Sequence, residues 1–303
     1  MRTSARVLLV VSVLLLPASL AGGSSGAHAA AATTPPACTP WPVRTLLSGQ
    51  GWLENLAFDG RGSITLSALQ QQRILRLTPS RRLSTLLTPV VAPGGERVLG
   101  RYLYFVTGDT VPVTPTGTLD RLDLRTGRRS TVARGLTMPN GLALLPNGDA
   151  VVSRDLGSGT GLTRIRARDP RHPQIEWAKL DDTNGLAVDP TGRWLYTDRT
   201  LSPDGEVDRV LIANPSVVQV VGRLGAGVSP DDLTVDKRGT LFIAGFSSGR
   251  IYRLNPRTHA ACFIASGLAQ PTSPRFGGRG WHANDLYVTD AGGHLSQLTP
   301  PRP

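Results

Sequence analysis

The sequence predicts an all-β chain, a six-bladed β-propeller whose ring is closed by its own N-terminal strand. Three observations carry that prediction. An apolar phrase recurs at intervals in the forties: Leu142 to Leu186 is 44 residues, Leu186 to Leu233 is 47, and Leu56 to Leu142 is 86, about twice that spacing. Each interval divides into four short apolar runs separated by turns rich in Gly, Asp, Pro or Asn. Beyond the leader no stretch sustains a 3.6-residue period, and 34 Gly and 24 Pro recur too often for long helices. A period of this size built from short strands is the signature of propeller blades.

The first strand of each unit is the apolar phrase itself: ENLAFDGRG, NGLALLPNG, NGLAVDPTG and DDLTVDKRG. Degenerate copies around Val98 and Leu99, and near Phe276, bring the count to six units. Second strands are expected at 63–68, 102–107, 150–153, 194–197, 240–244 and 285–289. Third strands carry Arg, as in RILRLTP, TLDRLDL, LTRIRA and RIYRLNP. Fourth strands are LSTLLTP, STVARG, IEWAKL, SVVQVVG and CFIASG. Unit six ends without a fourth strand, whereas VRTLLSG at 43–49 precedes unit one and matches LSTLLTP. Pairing that segment with unit six closes the ring and removes an open edge.

Two residues before each of the four leucines stands an oxygen-bearing side chain: Glu54, Asn140, Asn184 and Asp231. First strands line the central channel, so these four are expected to converge at one mouth. Two carboxylates and two amide carbonyls form an all-oxygen set of charge −2. Such a set suits a hard divalent cation, Ca²⁺ first, with waters in the remaining positions. No Cys or His falls at the ring positions, which argues against zinc. Asn-Gly and Asp before a strand are also ordinary turn formers, but Glu54 is a poor one, and all four offsets match. In units two and six, Glu96, Arg97 and Ser273 fall near the ring.

Five segments, LENLAFDGRGSITLS, MPNGLALLPNG, TNGLAVDPTGRWLYTDRT, SPDDLTVDKRGTLFIAGFSSGRIYRLNP and TSPRFGG, carry a resemblance through their order and spacing. The chain resembles the senescence marker protein/gluconolactonase (regucalcin-like) family and, more distantly, the paraoxonases. The resemblance covers essentially the whole chain after the leader. It implies a six-bladed propeller with one divalent metal in the channel, hydrolysing lactones or related esters. It further implies Glu54, Asn184 and Asp231 as metal ligands, Asn140 as a ligand or substrate-holding residue, and Asp231 as the catalytic acid/base. Two departures stand out. Gluconolactonase-like members show Glu-Gly-Pro where this chain has Glu54-Asn55-Leu56, and Asp231 is followed by Asp232 instead of Gly. Both are closer to the paraoxonases, and they make Asp232 a candidate further ligand.

The first 29 residues read as a signal peptide: Arg2 and Arg6, an apolar run at 7–20, then Ala27-His28-Ala29. Residues 30–42 read as a linker and 43–303 as the propeller. The apolar run is short for a membrane span and is interrupted by Pro17. A secreted protein is expected. Cys38 and Cys262 are then expected to form a disulfide, pinning the N-terminal strand and worth about 4 kcal/mol on the chain-entropy model. Net charge is +11, with Lys only at Lys179 and Lys237. The Arg residues are spread along third strands and turns without a basic helix, so nucleic acid is not an expected partner. Retention at anionic cell-surface polymers stays open.

A channel-mouth cation would polarise a lactone carbonyl while Asp231 moves the proton. Loops at 109–117 and 155–161 are candidates to cover the mouth and choose the small-molecule substrate. Gly245-Phe246-Ser247-Ser248-Gly249 matches G-x-S-x-G but links two strands, so no nucleophile elbow is expected. The histidines have no metal-like spacing, and His282 is the one with a route to the channel. The reading is thus a secreted, metal-dependent lactonase or esterase. The alternative is a non-catalytic propeller binding a ligand or protein, and a strictosidine-synthase-like propeller is a third option.

Overall fold

A computed structural model describes residues 34–110, 114–156 and 161–302. The expected leader and the start of the linker lie outside these residues. Twenty-four strands build six four-stranded sheets, and the described residues contain no helix. Strand β1 (Val43–Leu47) comes first. Blade one is β2 (Leu53–Phe58), β3 (Ile64–Ala68), β4 (Arg73–Leu77) and β5 (Leu83–Leu87). Blade two is β6 (Pro93–Leu99), β7 (Tyr102–Thr107), β8 (Gly117–Asp123) and β9 (Arg129–Leu136). Blade three is β10 (Pro139–Leu144), β11 (Ala150–Arg154), β12 (Leu162–Arg166) and β13 (Asp169–Ala178). Blade four is β14 (Thr183–Val188), β15 (Trp194–Arg199), β16 (Glu206–Leu211) and β17 (Val218–Arg223). Blade five is β18 (Pro230–Val235), β19 (Leu241–Gly245), β20 (Arg250–Leu254) and β21 (Ala261–Ala265). Blade six is β22 (Pro271–Phe276), β23 (Leu286–Asp290) and β24 (Leu295–Leu298), completed by β1.

The predicted closure is observed. Strand β1 pairs antiparallel with β24, Val43 opposite Leu298. The six inner strands neighbour one another in sequence around the ring, and β22 meets β2. Each apolar cluster lies between adjacent blades. Leu53, Leu56 and Leu66 of blade one pack on Tyr287 and Leu295 of blade six, sealing the joint. The leucine that opens each recurring phrase, Leu56, Leu142, Leu186 or Leu233, has no exposure at all. Truncating a residue so buried costs about 2–5 kcal/mol, which explains why this position carries the visible repeat.

Three features escaped the sequence pattern. Strand β13 was expected from Ile175 as IEWAKL, but its first part was missed because Pro170 and Pro173, which argue against a central strand, are tolerated on an outer edge that pairs only with β12. Strand β24 spans only four residues, too few for alternation to register. Strand β16 was not singled out from EVDRVL. The stretch expected as linker is also not free at its end. Cys38 N–H donates to Phe263 O at 2.9 Å and Trp41 N–H to Ile264 O at 2.8 Å, laying the chain along the edge of β21. The Cys38–Cys262 disulfide joins the same two segments, with Cα atoms 5.4 Å apart. No helix among the described residues is long and apolar enough to cross a membrane.

Candidate functional site

Every inner strand breaks register in its first residues. The shifts fall between Leu53 and Asn55, Pro93 and Glu96, Pro139 and Leu142, Thr183 and Leu186, Pro230 and Leu233, and Pro271 and Pro274. A bulge re-aims the side chains it carries, and here six bulges surround one axis. In blades two to six, the residue before the inner strand takes a left-handed conformation: Ala92, Met138, Asp182, Ser229 and Gln270 have φ between 38° and 59°. That strained residue tips the chain over the rim into the channel.

The bulge aligns the blades unambiguously. Glu54, Asn140, Asn184 and Asp231 occupy equivalent places. Blades two and six present Gly94 and Thr272 there, not Glu96, Arg97 or Ser273 as the sequence suggested. Glu96 stands where blades one, three, four and five have their buried leucine and blade six has Pro274. It is fully buried, and Thr65 and Ser67 hydroxyls donate to its carboxylate at 2.5 and 2.7 Å. The glycines of the two Asn-Gly pairs are required by crowding. A Cβ on Gly141 would lie 2.1 Å from Asn184 O, and one on Gly185 would lie 2.5 Å from Asp232 Cα.

The four predicted residues form two hydrogen-bonded pairs that cross blades, and the Glu54 and Asp231 carboxylates of the two pairs lie near enough to feel each other's charge. Asn140 Nδ2 donates to Glu54 Oε1 at 3.1 Å and to Asp109 Oδ2 at 3.0 Å. Asn184 Nδ2 donates to Asp231 Oδ1 at 2.8 Å, Asp155 Oδ1 at 3.1 Å and Thr200 Oγ1 at 3.0 Å. Trp52 Nε1 donates to Glu54 Oε2 at 2.6 Å, and the Trp52 ring stacks on Phe246 at 5.6 Å. Asp109 and Asp155 were not singled out as site residues. Each opens one of the two loops proposed as covers, and each is turned inward. Their signal in the sequence was only a polar residue after a second strand.

Burial governs the electrostatics. Glu54 is pushed up to about 7 by desolvation first, its hydrogen bonds from Trp52 and Asn140 opposing and the Asp155 charge adding to the rise. Asp155 is pushed up to about 6, again chiefly by burial. Asp109 and Asp231 lie well above the ordinary carboxylate range, through burial and then the nearby Glu54 and Asp155 charges. A cluster of buried acids that raise one another lacks a positive partner.

Asp232 belongs to a different set. Its Oδ2 accepts from Arg275 Nη2 at 2.6 Å, Ser273 Oγ at 2.6 Å and Asn55 Nδ2 at 2.8 Å. A carboxylate so engaged has little charge left for a cation, and the structure gives no support for Asp232 as a further ligand. Arg275 also donates to Leu233 O, and Arg97 reaches Leu186 O at 2.8 Å. His282 is exposed in the 277–285 loop, at the opposite end from the mouth. Ser248 of the G-x-S-x-G match donates to Gly245 O, as a turn residue does.

The donor set fits a hard cation in kind: two carboxylates and two amides at equivalent positions, with Asn184 Oδ1 buried and unpartnered. Among the described residues, no three Asp, Glu, His or Cys side chains are gathered closely enough to form a metal cage by themselves. The neutral amide NH₂ groups of Asn140 and Asn184 lie between the acids as hydrogen-bond donors.

With this geometry in view, the known proteins that the chain is similar to can be named. The family model described as SMP-30/Gluconolactonase/LRE-like region matches residues 153–292, which include Asn184 and Asp231. A gluconolactonase from Xanthomonas campestris is similar in structure, at 18% identity over 90% of this chain and 99% of that one, TM-score 0.70. A calcium-binding regucalcin from Agrobacterium tumefaciens is 18% identical over 86% and 94%, TM-score 0.68. Virginiamycin B lyase from Staphylococcus aureus shares the architecture at 11% identity over 86% and 100%, TM-score 0.61. No curated protein matches the chain by sequence. The whole described chain thus shares the six-bladed propeller fold of these proteins, and residues 153–292 within it match the SMP-30/gluconolactonase/LRE-like region.

Proposed function

We propose that the chain is an exported hydrolase that opens a lactone or related ester at the channel mouth, with a divalent cation, Ca²⁺ first, held by Glu54, Asn184 and Asp231. The observation that carries this reading is the convergence of those residues and Asn140 from four blades, with Asn184 Oδ1 left unsatisfied. The family match and the gluconolactonase and regucalcin neighbours support it. The signal-like first 29 residues and the disulfide support export.

A bound cation would supply charge to polarise the scissile carbonyl. Asp231, raised above the ordinary carboxylate range by burial and then the Glu54 and Asp155 charges while no cation is bound, would ionise on holding the cation and is then suited to take a proton from the attacking water and pass it to the leaving alkoxide. Asn140, whose two amide hydrogens hold Glu54 and Asp109, fixes the acids that would face an oxygen-rich substrate. The stacked Trp52 and Phe246 give the rim an apolar wall for the substrate ring. Arg97 spans from blade two to Leu186 O of blade four, and Arg275 reaches Leu233 O of blade five, so both occupy the shaft below the mouth where substrate would enter.

The test is hydrolysis of a panel of γ- and δ-lactones by the purified protein, with and without chelator, beside Asp231→Ala. Metal-dependent ring opening that Asp231→Ala abolishes is expected. A protein that binds no divalent ion and opens no lactone is instead a binding propeller.

A further inference from the structure

The ends of the propeller differ in charge. Antiparallel pairing puts the turns after first and third strands at the end opposite the mouth. Among the described residues, every Lys and Arg in a connecting loop or the C-terminal tail lies at that end, except Lys179. The mouth loops instead carry Asp109, Asp155, Asp181, Asp182 and Asp204. The sequence scatters its Arg residues along the chain; the fold collects them on one surface.

That surface is most developed across blades four to six. A pocket of about 280 Å³ between blades four and five is lined by Arg193, Arg209, Lys237, Arg238 and Arg257, with Trp194 and Tyr196 behind them. Arg193, Lys237, Arg238 and Arg257 are exposed, and none forms an ion pair among the described residues. The acids nearby are folded into their own turns. Asp189 accepts the Arg193 and Trp194 backbone N–H groups, and Asp236 accepts those of Arg238 and Thr240. Lys237 and Arg238 also border a cavity of about 920 Å³ between blades five and six, where Arg253 adds another cation. One hairpin thus joins the two hollows into a cationic path. Cations this close repel one another, and an anionic ligand relieves the repulsion.

We propose that this end docks a linear anionic polysaccharide, its acidic groups on Arg193, Lys237, Arg238 and Arg257, leaving the mouth open to solvent. Repeated charge on a stiff sugar chain matches cations fixed on rigid hairpins. Nucleic acid is disfavoured because the rings along the path are taken. The Arg209 guanidinium covers Trp194 at 4.2 Å, and Phe276 meets Phe242 edge-on at 5.1 Å, so no stacking platform for bases is free. The inference does not depend on chemistry at the mouth.

The test measures binding of the full-length mature protein to polygalacturonate, with neutral dextran and a single-stranded oligonucleotide as comparisons. Polygalacturonate is expected to bind, to weaken steeply as salt rises through about 50 to 200 mM, and to exceed both comparisons. Combined Arg193→Glu, Arg238→Glu and Arg257→Glu should weaken it about a hundredfold, with melting temperature unchanged. If that variant misfolds, the three Gln substitutions should weaken binding by about tenfold or more. Failure to bind, equal binding to dextran, tighter binding to the oligonucleotide, or indifference of a folded variant to these changes would each overturn the proposal.

Discussion

Asn184 of blade four donates its side-chain amide to Asp231 of blade five at 2.8 Å, while its own carbonyl oxygen is buried without a partner. The two residues are 47 positions apart and meet because consecutive inner strands bulge at the same height. Their pairing ties the acid/base candidate to the ligand candidate. Asp231→Asn should therefore retain the fold yet lower kcat for lactone opening by about a hundredfold or more. Asn184→Ala should weaken Ca²⁺ binding by about ten- to a hundredfold. Titration calorimetry alongside steady-state kinetics separates the two effects, and unchanged calcium affinity in Asn184→Ala would contradict the ligand assignment.

The buried acids make the metal-free protein sensitive to alkali. Glu54 and Glu96 are pushed up to about 7 and Asp155 to about 6, each mainly by burial. The folded state holds these protons where the unfolded chain has released them. The associated stability is complete below the ordinary carboxylate range and is lost as pH rises through about 6 to 7. In chelator, the melting temperature should fall by about 5 °C or more between pH 5 and pH 8. Millimolar Ca²⁺ should restore it at pH 8 but barely at pH 5, because binding needs ionised carboxylates. Scanning fluorimetry in the four conditions checks this, and equal rescue at both pH values would count against it.

Gly185 tests the crowding at the seam between blades. A methyl group there would lie 2.5 Å from Asp232 Cα and 2.6 Å from Leu233 N, both backbone atoms. Gly185→Ala should cost about 1–3 kcal/mol and displace Asn184, so denaturant midpoint and calcium affinity should fall together. A variant with native stability would show that the seam is looser than described.

Arg275 and Asp232 form the shaft's buried ion pair, 2.6 Å apart. Arg275→Met alone strands the Asp232 carboxylate and should lower stability by about 3–5 kcal/mol. Adding Asp232→Asn should recover a large part of that loss. Urea titration of the two single variants and the double variant measures the coupling, and strictly additive losses would mean that the pair does not interact.

Much of the fold was legible before any coordinates. The leucines at Leu56, Leu142, Leu186 and Leu233 recur because each fills the same fully buried place, and period-two runs between turns reveal the strands. The repeat failed where the fold put something else in that place. Glu96 took it in blade two, held by Thr65 and Ser67, so the apolar phrase there was read two to three residues late. The candidate site was half legible. Glu54, Asn140, Asn184 and Asp231 share an offset, but Asp109 and Asp155 enter from loops without a repeating pattern.

Local composition and periodicity, properties of neighbouring residues along the chain, were enough to specify most strands, the blade number and ring closure. The division between Asp231 and Asp232 was settled only in three dimensions. Adjacent residues on a bulged strand face different neighbours: Asp231 meets Asn184 at the mouth, and Asp232 meets Arg275 in the shaft. The gathering of Arg193, Arg238 and Arg257 on one end was likewise decided by folding, because antiparallel hairpins bring every second turn to the same side.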